Sequence, residues 1–118
     1  MPVNWNELEF LSLKEFKRMI PSIIKLETTR IDKIIFLLED NIEYRNYFVK
    51  AKYELNQFLE KLERAEEIPL GDSCKLHLEN SILILSSEQK YLADNIEKLR
   101  KYVLNRLYSI YDRIDFIY

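Results

Sequence analysis

Cys74 and His77 have the widest chemical repertoire of any side chains in this sequence, and they stand three residues apart. On a helix that spacing puts both on one face, where the imidazole could take the thiol proton and leave a thiolate nucleophile. The same pair could offer two ligands to zinc, but zinc asks the protein for at least three, and only Asp72 and Glu79 stand near. Against both readings stands the far commoner arrangement, a buried structural cysteine beside a half-exposed histidine. Carboxylates are plentiful, yet they alternate with basic residues. The run from Glu63 to Glu67 reads as a solvated surface rather than a di-metal site, which would pair Glu with a His three residues on. A single glycine, Gly71, excludes a Gly-rich phosphate loop. No residue is therefore assigned a catalytic, cofactor-binding or metal-binding role. The chain is read as a non-enzyme without a small-molecule substrate.

Two helical families built around a functional histidine test that reading. Histidine phosphotransfer domains are similar in size, and their motif places Lys and Gly shortly after the His. Here His77-Leu78-Glu79-Asn80-Ser81 has neither. HEPN ribonucleases carry an Arg close to their His, whereas Gly71-Asp72-Ser73-Cys74-Lys75-Leu76 precedes His77 with no Arg nearer than Arg64 on that side.

Eight tyrosines suggest stacking on nucleic-acid bases. Tyr44 and Tyr53, however, flank a heptad seam, where core packing accounts for them. The late tyrosines differ. Ser86 to Tyr118 is predicted as one helix whose main stripe is Leu92, Ile96, Leu99, Val103, Leu107, Ile110, Ile114 and Ile117, at steps of three and four. Beside it lie Leu104, Tyr108, Tyr111 and Tyr118, widening the apolar arc beyond the roughly 100° a bundle helix needs. Tyrosine suits an interface because it joins a large apolar area to a polar tip at low entropic cost. Leu104, Tyr108, Tyr111, Phe116 and Tyr118 are thus the predicted partner-binding surface, and a homodimer through the last helix is its simplest form. The competing expectation is that the leading segment, with Trp5 and Phe10, covers the stripe.

The net charge of −2 and the pI near 5.5 remove the usual electrostatic footprint of a nucleic-acid-binding domain. The charge is uneven, however. Lys14, Lys17, Arg18, Lys25, Arg30 and Lys33 face only Glu15, Glu27 and Asp32 over the same stretch. A mildly basic helical face using Lys14, Lys17, Arg18 and Lys25 makes a nucleic-acid-associated protein the alternative, with an ordinary solvated face as the plainer account.

These residues need a scaffold, and the composition points to one built of helices. One glycine and three prolines cannot serve a many-stranded sheet with tight hairpins, while 47% apolar residues suffice for a core without disulfides or metals. Residues 1–11 read as an irregular lead-in. Ser12-Leu13-Lys14-Glu15 is a capping box, and Pro21 should interrupt that helix or start its successor. Ile24, Ile31, Ile35 and Leu38 mark the next face, with Thr28 bonded back to a carbonyl in its gap and a turn near 39–41. Tyr44, Phe48, Ala51, Leu55, Phe58 and Leu62 form a heptad seam, with Glu60 and Arg64 as an i,i+4 pair. Ile68 to Ser73 is the strongest loop signal. Residues 73–85 admit a hairpin around Asn80-Ser81 or, preferably, a helix burying Cys74, Leu78, Ile82 and Leu85. In the last helix an eleven-residue repeat keeps the rod straight, with Asp94–Lys98 and Glu97–Lys101 pairs on its wet side. The expectation is an all-α, single-domain antiparallel bundle of four to five helices over 1–118, closed by a long straight C-terminal helix.

The stretch Leu83-Ile84-Leu85-Ser86-Ser87-Glu88-Gln89-Lys90-Tyr91-Leu92 and the helix after it resemble the helical domain of archaeal GINS subunits. In that family a "T-P-E-E" type cap opens a long closing helix, and Ser-Ser-Glu-Gln stands in its place here. The family's small β-domain is missing, and its Arg-rich preceding helix is represented only by Lys75 and His77. The resemblance implies a replisome scaffold role, one form of the broader expectation: a non-catalytic interaction or assembly subunit, or a regulator or inhibitor of a larger complex. One cysteine, no signal-peptide pattern at the N-terminus and no apolar run long enough to span a bilayer place the expected location in the cytoplasm.

Overall fold

Ser12 starts the first helix: its Oγ accepts from the Glu15 amide at 3.2 Å, satisfying one of the donors that open a helix. The computed structural model describes residues 12–65, 72–87 and 92–114. Within them lie four helices, α1 Leu13–Leu37, α2 Ile42–Arg64, α3 Asp72–Ser86 and α4 Asp94–Ile114, and no strand among the described residues. No described helix is long and apolar enough to cross a membrane. The lead-in 1–11 and the loop signal up to Gly71 lie outside the described residues.

The helices close into a ring in which each packs on the next and α4 returns to α1. Contacts fix each pair as antiparallel. Lys17 meets Ala65 and Asp32 meets Lys52 across α1/α2. Lys61 meets Ser73 and Glu54 meets His77 across α2/α3. Arg100 reaches Leu85, and Tyr111 reaches Glu79, across α3/α4. The seam predicted on α2 forms the centre of the core, with Phe48, Ala51, Leu55, Phe58 and Leu62 all buried. On α3 the helical expectation holds: Cys74, Leu78, Ile82 and Leu85 are buried together.

Pro21 departs from expectation. It lies inside α1, which neither stops nor restarts there. A mid-helix proline costs ~3 kcal/mol through a lost hydrogen bond and a ring clash. Phe16 and Ile20 before it, and Ile23 and Ile24 after it, are all buried on one continuous stripe, and their packing outweighs that cost. The turn near 39–41 is where it was expected, with Asn41 Oδ1 accepting from the Tyr44 amide at 3.3 Å.

The closing helix is also corrected. Ser86 does not open it but ends α3, and Leu92 and Ala93 are not helical. Ser86 and Ser87 turn their hydroxyls back to the Leu83 carbonyl, at 3.0 and 3.1 Å, so they close a helix instead of capping the next. The first bond of α4 runs from the Glu97 amide to the Ala93 carbonyl. Glu97 is held by Arg100, whose guanidinium also reaches the Leu85 carbonyl, where the wet-face pairing with Lys101 had been expected. The stripe on α4 nonetheless stands, with Ile96, Val103, Leu107, Ile110 and Ile114 buried.

Candidate functional site

The residues with the most chemistry do not converge. Cys74 points its thiol at the Phe58 carbonyl, 3.8 Å away, and burial pushes its pKa up to about 11, the reverse of what a nucleophilic thiolate requires. His77 engages a different partner one turn away on the same helix, its Nδ1 lying 2.5 Å from Glu54 Oε2 on α2. The pair therefore ties α3 to two successive turns of α2. Among the described residues no group of three His, Cys, Asp or Glu side chains is placed to hold a metal ion.

The predicted partner surface is split. Leu104 and Tyr111 are half-buried against the core, and the Tyr111 hydroxyl reaches Glu79 on α3 at 3.5 Å. Much of the extra arc on α4 therefore serves the α3/α4 seam. Tyr108, one turn before Tyr111, remains 43% exposed. Phe116 and Tyr118 lie outside the described residues. The face nevertheless continues on a helix that sequence reasoning did not consider for it. Leu76 and Leu83, 52% and 59% exposed, stand seven residues apart on the outer stripe of α3, with Glu79 between them. Because Glu79 meets Tyr111, the stripe of Leu76 and Leu83 runs alongside the stripe of Leu104, Tyr108 and Tyr111. The missed signal is that α3 carries apolar residues on both sides.

The basic residues predicted near the N-terminus occupy one side of α1. Lys14, Arg18 and Lys25 are exposed, while the half-buried Lys17 donates to the Ala65 carbonyl at 2.7 Å. Lys17, Pro21 and Lys25 line a groove of about 490 Å³ against α2, whose other wall holds Asn56, Leu59, Glu60 and Glu63. Two carboxylates thus face two ammonium groups, and the groove is balanced in charge.

A second cluster went unpredicted. Glu27 occupies a position in the buried stripe of α1 between Ile24 and Ile31 and is only 1% exposed. Its Oε1 accepts from Arg30 Nη1 at 2.5 Å, and its Oε2 is buried without a hydrogen-bond partner. Desolvation raises its pKa to about 7, with Arg30 and Arg106 pulling the other way. Arg30 lies over the Tyr102 ring at 4.5 Å, Arg106 over it at 5.1 Å, and Arg106 also donates to the Tyr102 hydroxyl at 2.8 Å. A charged residue at a stripe position was the available clue, a lone Glu where periodicity asked for Ile or Leu.

Beside this cluster, Arg30, Lys33 and Leu37 of α1 and Asn95, Lys98, Leu99 and Tyr102 of α4 line a cleft of about 450 Å³. It has three cations, an amide, a phenol and two leucines in its walls. Comparison with family models, with curated proteins and with solved structures finds no match for this chain, so the likeness to GINS subunits rests on residues 83–92 and the helix after them alone.

Proposed function

We propose that this chain is a non-catalytic interaction or assembly subunit that docks a protein partner, in its simplest form a second copy of itself. The surface would be the outer face of α3 with the adjoining turns of α4. One observation carries the reading. A bundle helix packed on its neighbours needs one apolar stripe. α3 has that stripe in Cys74, Leu78, Ile82 and Leu85, and it carries Leu76 and Leu83 to solvent on the opposite side, while Tyr108 is exposed one turn before the Tyr111 that meets Glu79 of α3. Scattered exposed leucines are ordinary, but an apolar strip shared by two helices and edged by polar residues is the usual form of a contact surface. A partner of this kind suits a regulator or inhibitor of a larger complex as well as a dimer.

Light scattering across a concentration series tests it. Leu76→Glu with Leu83→Glu and Tyr108→Glu should leave the helical circular dichroism intact while abolishing self-association or capture of the native partner. An unaltered binding profile in the folded triple variant would overturn the reading. The nucleic-acid alternative on Lys14, Lys17, Arg18 and Lys25 has less behind it, since Lys17 is already bonded and the groove it lines holds Glu60 and Glu63.

A further inference from the structure

We propose that the cleft between α1 and α4 binds a small organic phosphate of about mononucleotide size, with Arg30, Lys33 and Lys98 gripping the phosphate and Leu37 and Leu99 covering the organic part. This goes beyond the docking reading and uses a different side of the molecule.

The first support is charge. Three cations from two helices line one concavity, and no carboxylate is among its lining residues. Like charges gathered in this way repel one another unless an anion joins them. A carboxylate ligand would answer one of the three charges, whereas a phosphomonoester brings about two and three acceptor oxygens. Asn95 adds an amide that can donate to the same group.

Preorganisation is the second. A surface arginine ordinarily gives up much of its freedom when it binds, but Arg30 is already fixed between the Glu27 carboxyl and the Tyr102 ring. That anchor is an unusual one. Glu27 is buried in an apolar stripe with Oε2 unsatisfied, a costly arrangement that a structural role alone would fill better with leucine. Places where a sequence breaks its own pattern at a cost in stability are where functional sites are expected. Because burial raises the Glu27 pKa to about 7, its charge at neutral pH is only partial, and Arg30 stays a net cation toward the cleft.

Size and shape are the third. The cleft's 450 Å³ falls within the range of small-molecule sites and exceeds what an inorganic ion needs. Its two leucines would gain nothing from a bare phosphate. Base stacking on Tyr102, as in single-stranded nucleic-acid binding, is disfavoured because two guanidinium groups already lie over that ring.

Amide NMR titrations of the full chain with AMP, adenosine and inorganic phosphate at low salt test the proposal. AMP should shift amides of residues 30–37 and 95–102. Lys33→Ala with Lys98→Ala, two exposed residues whose loss leaves the core untouched, should weaken AMP by about tenfold or more with an unchanged melting temperature. The triple α3/α4 variant described above should bind AMP as the parent does, which separates this site from the docking face. Three results would each overturn it: no shift in those segments, adenosine binding as well as AMP, or an acidic peptide displacing AMP from the same amides.

Discussion

The two sides of α4 solve opposite problems. Toward α3 it presents Leu104 and Tyr111 to an apolar seam, where Glu79 stays exposed and meets a tyrosine hydroxyl and Arg100 closes the far end on the Leu85 carbonyl. Toward α1 it presents Tyr102 and Arg106 to a buried carboxylate. The first side spills apolar surface outward, and the second draws charge inward. Stability is held by the first kind of contact, because area removed from water is cheap to arrange and indifferent to pH. A pairing such as Glu27 with Arg30 roughly breaks even at best and ties the fold to proton concentration. The difference teaches where this molecule keeps its strength and where it gives some up.

The contrast breaks most sharply at Leu78. It is fully buried on the inner stripe of α3, and Leu78→Ala should cost about 2–5 kcal/mol in urea unfolding, through lost transfer energy and the cavity left behind. A loss below about 1 kcal/mol would mean that the α3 seam is not the strong side.

The next largest effect sharpens the other side. The folded state favours the neutral form of Glu27, so its contribution is complete below the unfolded value of 4.5 and is lost as pH rises through about 7. Stability should therefore fall by on the order of 2–3 kcal/mol between pH 5 and pH 8. Glu27→Gln, which keeps an acceptor for Arg30 and removes the ionisation, should flatten that slope and leave the variant more stable than the parent at pH 8. A parent whose unfolding midpoint is constant over this range would remove the argument for a strained carboxyl.

The smallest effect belongs to the outer stripe. Leu83→Glu in the isolated chain should move stability by less than about 0.5 kcal/mol, because the side chain is already in water. Set beside Leu78→Ala, it measures how little of the apolar character of α3 the fold itself uses.

Most of this architecture was legible in the sequence wherever one periodicity governed a segment. The seam from Phe48 to Leu62 and the stripe from Ile96 to Ile114 needed only steps of three and four, and the bond from Thr28 to the Lys25 carbonyl could be expected from its place in a stripe gap. What misled was local chemistry judged without its neighbours. Pro21 read as a breaker, because the four buried residues around it act only once α1 is packed. Ser86 and Ser87 read as a cap for the next helix, yet hydroxyls bond whichever carbonyl is nearer, and here that is Leu83 behind them. The site was harder still. Glu27 was counted only as a negative charge, and nothing in one helix reveals that Arg106 and Tyr102 of another lie across from it.

The single thiol gives this protein a built-in reporter. Cys74, in the first turn of α3, is buried with its thiol against the Phe58 carbonyl of α2, so an alkylating reagent reaches it when that end of α3 lifts from α2. Its modification rate, followed by mass spectrometry on the unaltered chain, therefore records how often α3 lifts from α2, with no engineered label required. If binding at the outer face of α3 steadies that helix, the same clock should slow as the partner is added.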